Sequence, residues 1–244
     1  MNELLRQHNA ITEARYEMSA LEKNIVYLLM REIKGEDPND KEYLVNICEL
    51  EKVFGVLEHK EIREATNNLL RRAYTIRRDN GDILVVSLMT VVRYDIGAKK
   101  LAIKISSKIL PYFVELKNNY TTFELDVALS LRNKYSKRLY EMLSQHKSLG
   151  EFSISVKDLK WRLDLVEENN KQEKYLKFNA FKQRVLEPAQ KELAEYADIS
   201  FSYEVTKTGN KYTELKFKIN PTSPQPLDKP GTQAFIYFSL AASL

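Results

Sequence analysis

Two stretches of the chain carry the same succession of apolar and polar positions. Residues 43–56 read YLVNICELEKVFGV and residues 152–165 read FSISVKDLKWRLDL. They align without a gap: Tyr43 with Phe152, Val45 with Ile154, Ile47 with Val156, Leu50 with Leu159 and Val56 with Leu165. Alternation of period two gives way to helical spacing, which predicts a short strand turning directly into a helix. Asn46 and Ser155 occupy equivalent places, with Glu49 and Asp158 three residues on. This is capping-box spacing: a short polar side chain accepts from an orphan helix N–H and an acid reaches back to the cap residue.

The pattern downstream repeats too. Ile62, Ala65, Leu69, Leu70 and Ala73 mark one helical face, and Phe178, Phe181, Val185, Leu186 and Ala189 mark its counterpart after a longer polar loop, Glu167 to Lys174. Each predicted helix leads into a hairpin whose turn carries glycine and lysine. In the first half Ile83–Tyr94 and Leu101–Ser106 flank Asp95–Lys100, and in the second Ile199–Thr206 and Tyr212–Ile219 flank Lys207–Lys211. Upstream of each copy lies another amphipathic helix. One is capped by Ser19 and carries Leu21, Ile25, Leu28 and Leu29; the other is striped by Leu131, Tyr135, Leu139, Met142 and Leu143. Both halves therefore run helix, strand, helix, helix, hairpin. The prediction is an α+β fold of two tandem winged-helix (winged helix-turn-helix) domains related by internal pseudo-symmetry, over 1–120 and 121–220. Residues 221–244 hold four of the seven prolines and predict an irregular tail. Its apolar end, AFIYFSLAASL, is too short to span a bilayer.

In domains of this order the helix before the hairpin enters the major groove and the hairpin reaches phosphates. On the second copy Phe178, Phe181, Val185 and Ala189 take the core side, which places Lys177, Gln183, Arg184 and Lys191 opposite. Asn179 and Lys182 lie on the flanks, with Lys174 just upstream. On the first copy Arg63, Asn67 and Arg71 project away from the stripe, with Lys60 at its start and Arg72 beside it. Arg and Lys suit guanine O6/N7, and Asn or Gln suit adenine N6/N7. A third cluster, Arg132, Lys134, Lys137 and Arg138, predicts phosphate neutralisation without base reading. The hairpin turns add Lys99 and Lys100, and Lys207, Asn210 and Lys211. A solvated helix face is the plain alternative for any one of these residues, but two such faces on equivalent helices favour DNA.

Charge alone decides little, because the net value of +4 is shared by both halves and any basic patch must come from local clustering. A single cysteine, Cys48, excludes an internal disulfide and a multi-cysteine zinc site. His8, His59 and His146 are scattered, which argues against a metal-dependent nickase of the rolling-circle type. No G-x-x-x-x-G-K-[ST] loop is present, which argues against an ATP-driven helicase. The paired carboxylates Glu167-Glu168 sit in a polar loop and read as solvated. The expectation is a protein with no catalytic centre, metal or cofactor. The polar N-terminus and the absence of a long apolar run predict a cytoplasmic protein that does not engage a membrane.

Four segments carry a family resemblance: NAITEARYEMSALEKNIVYLL (9–29), LRNKYSKRLYEML (131–143), FSISVKDLKWRL (152–163) and FKQRVLEPAQKEL (181–193). The runs SKRLY at 136–140 and VLEPA at 185–189 are the most specific. With them the chain resembles the replication initiators of iteron-bearing, theta-replicating bacterial plasmids, from about residue 5 to about residue 220. The resemblance implies two winged helices that bind directly repeated iterons at a plasmid origin, help to melt it and recruit the host replication initiator and helicase. It also implies monomers on iterons, in equilibrium with homodimers that repress their own gene at an operator inverted repeat, with chaperones assisting the conversion. A helix at about Tyr175 to Glu195 would read bases, and the N-terminal domain would add a DNA contact and hold the dimer interface. A winged-helix transcriptional regulator without initiator activity is the alternative.

Leu4, Ile11, Met18 and Ile25 recur every seven residues, as in a coiled-coil seam. Ser19, read as a helix cap, would break that continuity. The expectation is a short N-terminal helix carrying Leu4 and Ile11 packed on the first domain, and a dimer formed through an edge strand within Ile83–Tyr94.

Overall fold

The computed structural model describes residues 3–95, 97–114, 116, 118–166 and 173–222. The tail from 223 onwards, the 167–172 loop with Glu167-Glu168, and Ile96 in the first hairpin turn lie outside the described residues. The chain opens with β1 (Leu4–His8), α1 (Asn9–Glu13) and α2 (Ala20–Glu32). α2 begins at a complete capping box: Ser19 Oγ accepts from Glu22 N at 3.2 Å and the Glu22 carboxylate accepts from Ser19 N at 3.0 Å. Every residue from Glu22 to Met30 is buried, so α2 is enclosed on all sides. β2 (Glu42–Asn46) runs into α3 (Ile47–Phe54), and α4 (His59–Arg71) follows. Four strands come next, β3 (Ala73–Arg77), β4 (Ile83–Ser87), β5 (Met89–Asp95) and β6 (Lys100–Ile105). The short α5 (Pro111–Val114), β7 (Tyr120–Glu124), α6 (Leu125–Ser130) and α7 (Lys134–Gln145) lead into the second copy. That copy consists of β8 (Glu151–Ser155), α8 (Val156–Arg162), α9 (Phe178–Phe181), a π-turn (Lys182–Leu186), α10 (Glu187–Tyr196), β9 (Ile199–Thr208) and β10 (Lys211–Pro221).

The duplication is visible in the sheets. One antiparallel sheet has the order β2-β6-β5 and the other β8-β10-β9, so in each the first strand of the unit pairs with the last. Both strand-to-helix junctions are capped as the sequence predicts. Asn46 Oδ1 accepts from Cys48 N and Ser155 Oγ from Asp158 N, each at 2.9 Å. The acids, however, do not reach back. Glu49 accepts both Nη atoms of Arg31 at 2.6 and 2.8 Å, and Asp158 accepts from Arg77 at 2.8 Å and Arg162 at 3.1 Å. Guanidinium pairs of this kind are stronger than a bond to a neutral backbone N–H.

Three further expectations change. Ile83–Tyr94 is two strands, because Leu88 and Met89 are both buried and break the period of two. β4 folds back on β3 with Tyr74 opposite Val86, so Ala73 begins a strand instead of ending a helix. The N-terminal helix expected to carry Leu4 and Ile11 does not include Leu4, which is an exposed residue of β1, while Ile11 lies in α1. The heptad makes no seam, as the Ser19 cap implied, and Ile11, Met18 and Ile25 are core residues of three different segments. β1 also pairs with β7, Leu5 opposite Phe123, so a division at 120/121 falls at the edge of a strand bonded to the N-terminus.

α7 is buried continuously from Tyr135 to Leu143 because it packs on α1 and α2 on one side and α10 on the other. This corrects the reading of Lys137 and Arg138 as phosphate contacts. Lys137 Nζ donates to Asn24 Oδ1 and to the Ala128 and Leu129 carbonyls. Arg138 donates to Glu141 at 2.8 Å, to Thr12 O at 3.0 Å and to Ala14 O at 2.9 Å. Lys23 completes the cluster, 2.7 Å from both Glu141 and the Tyr16 hydroxyl. Burial lowers Lys137 to about 7 and Lys23 to about 8. Burial raises Glu141 as well, but Lys23 and Arg138 overcome it and hold the carboxyl below its usual range.

Candidate nucleic-acid interface

α9, the π-turn and α10 form one continuous helix with a sharply divided surface. Phe181, Val185, Ala189 and Leu193 are fully buried, while Asn179, Gln183, Arg184 and Lys191 are exposed. Among the described residues none of these last four makes an ion pair. The helix starts later than expected: Tyr175 has a positive φ of 57°, and Lys177 is the N-cap residue, so it stands at the helix entrance and not on its face. Lys182 lies 3.4 Å from Glu187 across the π-turn. Gln190 donates to the Phe201 carbonyl at 2.9 Å, tying the helix to β9.

The wing is a long hairpin closed by Gly209 and Asn210, with Gly209 at φ 61°, where a side chain would be strained. Lys207, Asn210 and Lys211 are exposed around this turn. Lys207 Nζ lies 4.4 Å from the ring centroid of Tyr212, which stacks on Phe178 at 4.1 Å. A groove of about 520 Å³ separates wing and helix, with Asn179, Lys182, Glu187, Tyr203 and Tyr212 in its walls. The aromatic tie between helix and wing was not read from the sequence, because the two rings are far apart along the chain.

α4 presents the equivalent surface in the first unit. Ile62, Ala65 and Leu69 face inward, and Lys60, Arg63, Asn67 and Arg71 are exposed opposite them. Arg72 has left the helix as its C-cap and lies 3.4 Å from Glu22. Lys99, at φ 50°, pairs with Glu51 at 3.0 Å, and Lys100 is exposed beside it. Arg132 is exposed at the entrance to α7, where its backbone N–H donates to Glu192 at 2.5 Å.

Three residues expected on phosphates converge on one acid. Lys134, Lys174 and Arg72 lie 2.5, 3.5 and 4.0 Å from the Glu17 carboxylate. Burial works to raise Glu17, but Lys134 and Lys174 hold it below its usual range. This cluster joins the two units, as do Arg15 with Asp164 at 2.6 Å and Arg77, whose guanidinium lies 3.5 Å from the Trp161 ring centroid. These contacts tie the two units together, each with its own helix and wing.

Residues 4–144 match the family description "Initiator Replication protein, WH1", and residues 155–219 match "Initiator Rep protein, WH2". The chain belongs to the initiator replication protein family. Among the relatives of this initiator is the PI protein of Escherichia coli, 25% identical over 248 residues, covering 88% of this chain and 81% of the relative. Another is a replication initiation protein of Escherichia coli, 28% identical over 229 residues, covering 86% of this chain and 67% of the relative. The crystal structure of the Pi initiator protein in complex with iteron DNA has the same fold. Its TM-score is 0.74 at 22% identity, over 90% of this chain and 98% of that one. The two winged-helix units of this initiator are thus the family's own. No helix among the described residues is long and apolar enough to cross a membrane.

Proposed function

We propose that this plasmid replication initiator binds double-stranded DNA at directly repeated origin sequences, with α9–α10 in one major groove and α4 in a neighbouring groove. The observation that carries the reading is the pair of equivalent helices whose outward cations and amides have no acidic partner among the described residues, apart from Lys182. The Pi relative was crystallised with iteron DNA, which supports the same class of ligand here. In this reading Asn179, Gln183, Arg184 and Lys191 read base edges, and Arg63, Asn67 and Arg71 do so in the first unit. Lys60, Lys100, Arg132, Lys177, Lys207, Asn210 and Lys211 position the phosphates, with Lys182 beside them. Lys99, Lys134, Lys174 and Arg72 are instead held by Glu51, Glu17 and Glu22. The bound monomer helps to open the origin and brings in the host replication initiator and helicase in the cytoplasm, with no chemistry of its own.

The same chain forms a homodimer that occupies an inverted repeat and represses its own gene, with chaperones assisting return to the monomer. The free edge of β4 supports a strand-paired interface: it bonds only to β3 among the described strands, and Ile83 and Val85 are 54% and 63% exposed on it. The deciding experiment measures binding to origin duplex and to a scrambled duplex over a salt series, together with plasmid maintenance in cells. Equal affinity for both duplexes would refute base reading. Selective binding without plasmid maintenance would leave a transcriptional regulator.

A further inference from the structure

The second unit launches its outward helix differently from the first. α4 follows α3 after the short turn Gly55–Glu58, and the Glu61 carboxylate accepts from Glu58 N at 2.8 Å to close its first turn. α8 and α9 are separated by the longer connection Leu163–Lys177, and among the described residues the N-cap residue Lys177 makes no side-chain capping bond. Downstream, Val185, Ala189 and Leu193 seat the helix in the core, and Gln190 ties it to β9. In α9 itself only Phe181 is buried. The entrance turn, which carries Asn179, therefore depends on a support other than a cap or the core stripe.

Lys160 of α8 supplies that support. It is 4% exposed, and its ammonium donates to the Glu173 carboxylate and, at 2.9 Å, to the Tyr175 carbonyl. Nζ also lies 5.2 Å from the Phe181 ring centroid. Tyr175 is the strained point of the connection: its φ of 57° is unfavourable for a bulky side chain and persists only where the surroundings hold it. Its ring meets Tyr135 of α7 edge-on at 6.4 Å. The ends of the connection are stitched as well, with Lys174 N–H donating to the Leu165 carbonyl at 2.8 Å and Val166 bridged to Glu173. In the aligned repeats Glu51 stands at the place of Lys160 and pairs with Lys99 at 3.0 Å, so the first unit has no such grip. An apolar side chain often serves stability as well as a buried ion pair does, so stability alone gives no reason for a charge at this place.

We propose that Lys160 is a positioning residue for base recognition: by gripping Glu173 and the Tyr175 carbonyl it fixes the left-handed turn from which α9 starts, and so places Asn179, Gln183 and Arg184 at the base edges. Such contacts require placement to within about 0.5 Å, so a loosened entrance loses sequence discrimination before it loses phosphate binding. This rests on the DNA-binding reading given above, and the test separates the two.

The full chain is incubated with a pool of double-stranded DNA of randomised core, and the bound sequences are read. A wild type that enriches no sequence removes the DNA-reading basis, and the proposal with it. With an enriched repeat in hand, Lys160→Met keeps the aliphatic stem and removes the grip. It should melt close to the wild type and keep both its affinity for scrambled duplex and its salt slope, because a buried ammonium meets no phosphate. Its preference for the repeat over scrambled duplex should fall by about tenfold. Glu173→Ala acts at the more exposed end of the pair, removes the carboxylate half of the grip and should lose about threefold in preference with the fold kept. If Lys160→Met does not fold, Glu173→Ala decides alone. An unchanged preference in either folded variant overturns the positioning role. So does an equal loss on repeat and scrambled duplex, since Lys160 would then support the fold alone.

Discussion

Replacing Lys137 by Ala separates a buried strut from a phosphate contact. The ammonium satisfies Asn24 Oδ1, Ala128 O and Leu129 O inside the core shared by α2 and α7. Asn24 also donates to Leu129 O at 3.0 Å, so that carbonyl keeps one partner when the lysine is lost. Two acceptors are left without a donor, at about 1–3 kcal/mol each, and the lost aliphatic stem adds roughly 2 kcal/mol. Relief from burying a charge offsets part of this, so the expected net loss is about 2–4 kcal/mol. Lys137→Met keeps the stem and should lose about half as much. The readouts are denaturant unfolding and the salt dependence of duplex binding, and the salt slope should not change. A stable Lys137→Ala variant whose slope falls by roughly one unit would refute the burial and return Nζ to a phosphate. The pH dependence gives an independent check. Lys137 titrates at about 7 when folded, below its unfolded value, so above pH 7 the unfolded chain holds more protons and stability rises with pH. The rise approaches about 1.4 kcal/mol per pH unit for one group. Lys23 joins in the same direction only above about 8, so Lys137→Met should flatten the curve between pH 7 and 8. At strongly alkaline pH the trend reverses, because burial holds the Tyr16 and Tyr27 phenols well above their unfolded value and ionisation then favours the unfolded chain.

Arg184→Ala should lose about 1–3 kcal/mol of discrimination between cognate and scrambled duplex; an equal loss on both makes Arg184 a phosphate contact. Tyr212→Ala removes the 4.1 Å stack on Phe178 and the seat of Lys207. It should weaken binding to all duplexes by a few-fold while Tyr212→Phe does not, and equal behaviour of the two would show that the stack does not position the wing. Val85→Lys should shift sedimentation towards monomer, whereas Val91→Pro on β5 should not if β4 is the paired edge. The reverse result moves the interface to β5.

The winged-helix order was legible because alternation and helical spacing are local, and their repetition in Tyr43–Val56 and Phe152–Leu165 left little room for accident. The hairpin β3–β4 was hidden because Ala73 continues the stripe of α4 by one further turn, and only the buried pair Leu88-Met89 marks the break. The π-turn did leave a trace, a four-residue interval in the core stripe followed by Pro188, but a helix drawn at 100° per residue conceals it. The charged residues were the hardest to place. A helical wheel assumes one wet face, and α7 has none, since both units pack on it; Lys137 and Arg138 therefore look solvated in sequence and are not. What separates them from Arg184 or Lys191 is the company brought by distant parts of the chain: Asn24, Thr12 and Ala14 beside α7, and no acid beside Arg184 or Lys191 among the described residues. Glu17 makes the same point from the acidic side, gathering Arg72, Lys134 and Lys174 from three segments into one joint. A cation is free to meet a phosphate only where the fold has not already supplied it with an oxygen, and that is settled by tertiary contacts that no local pattern encodes.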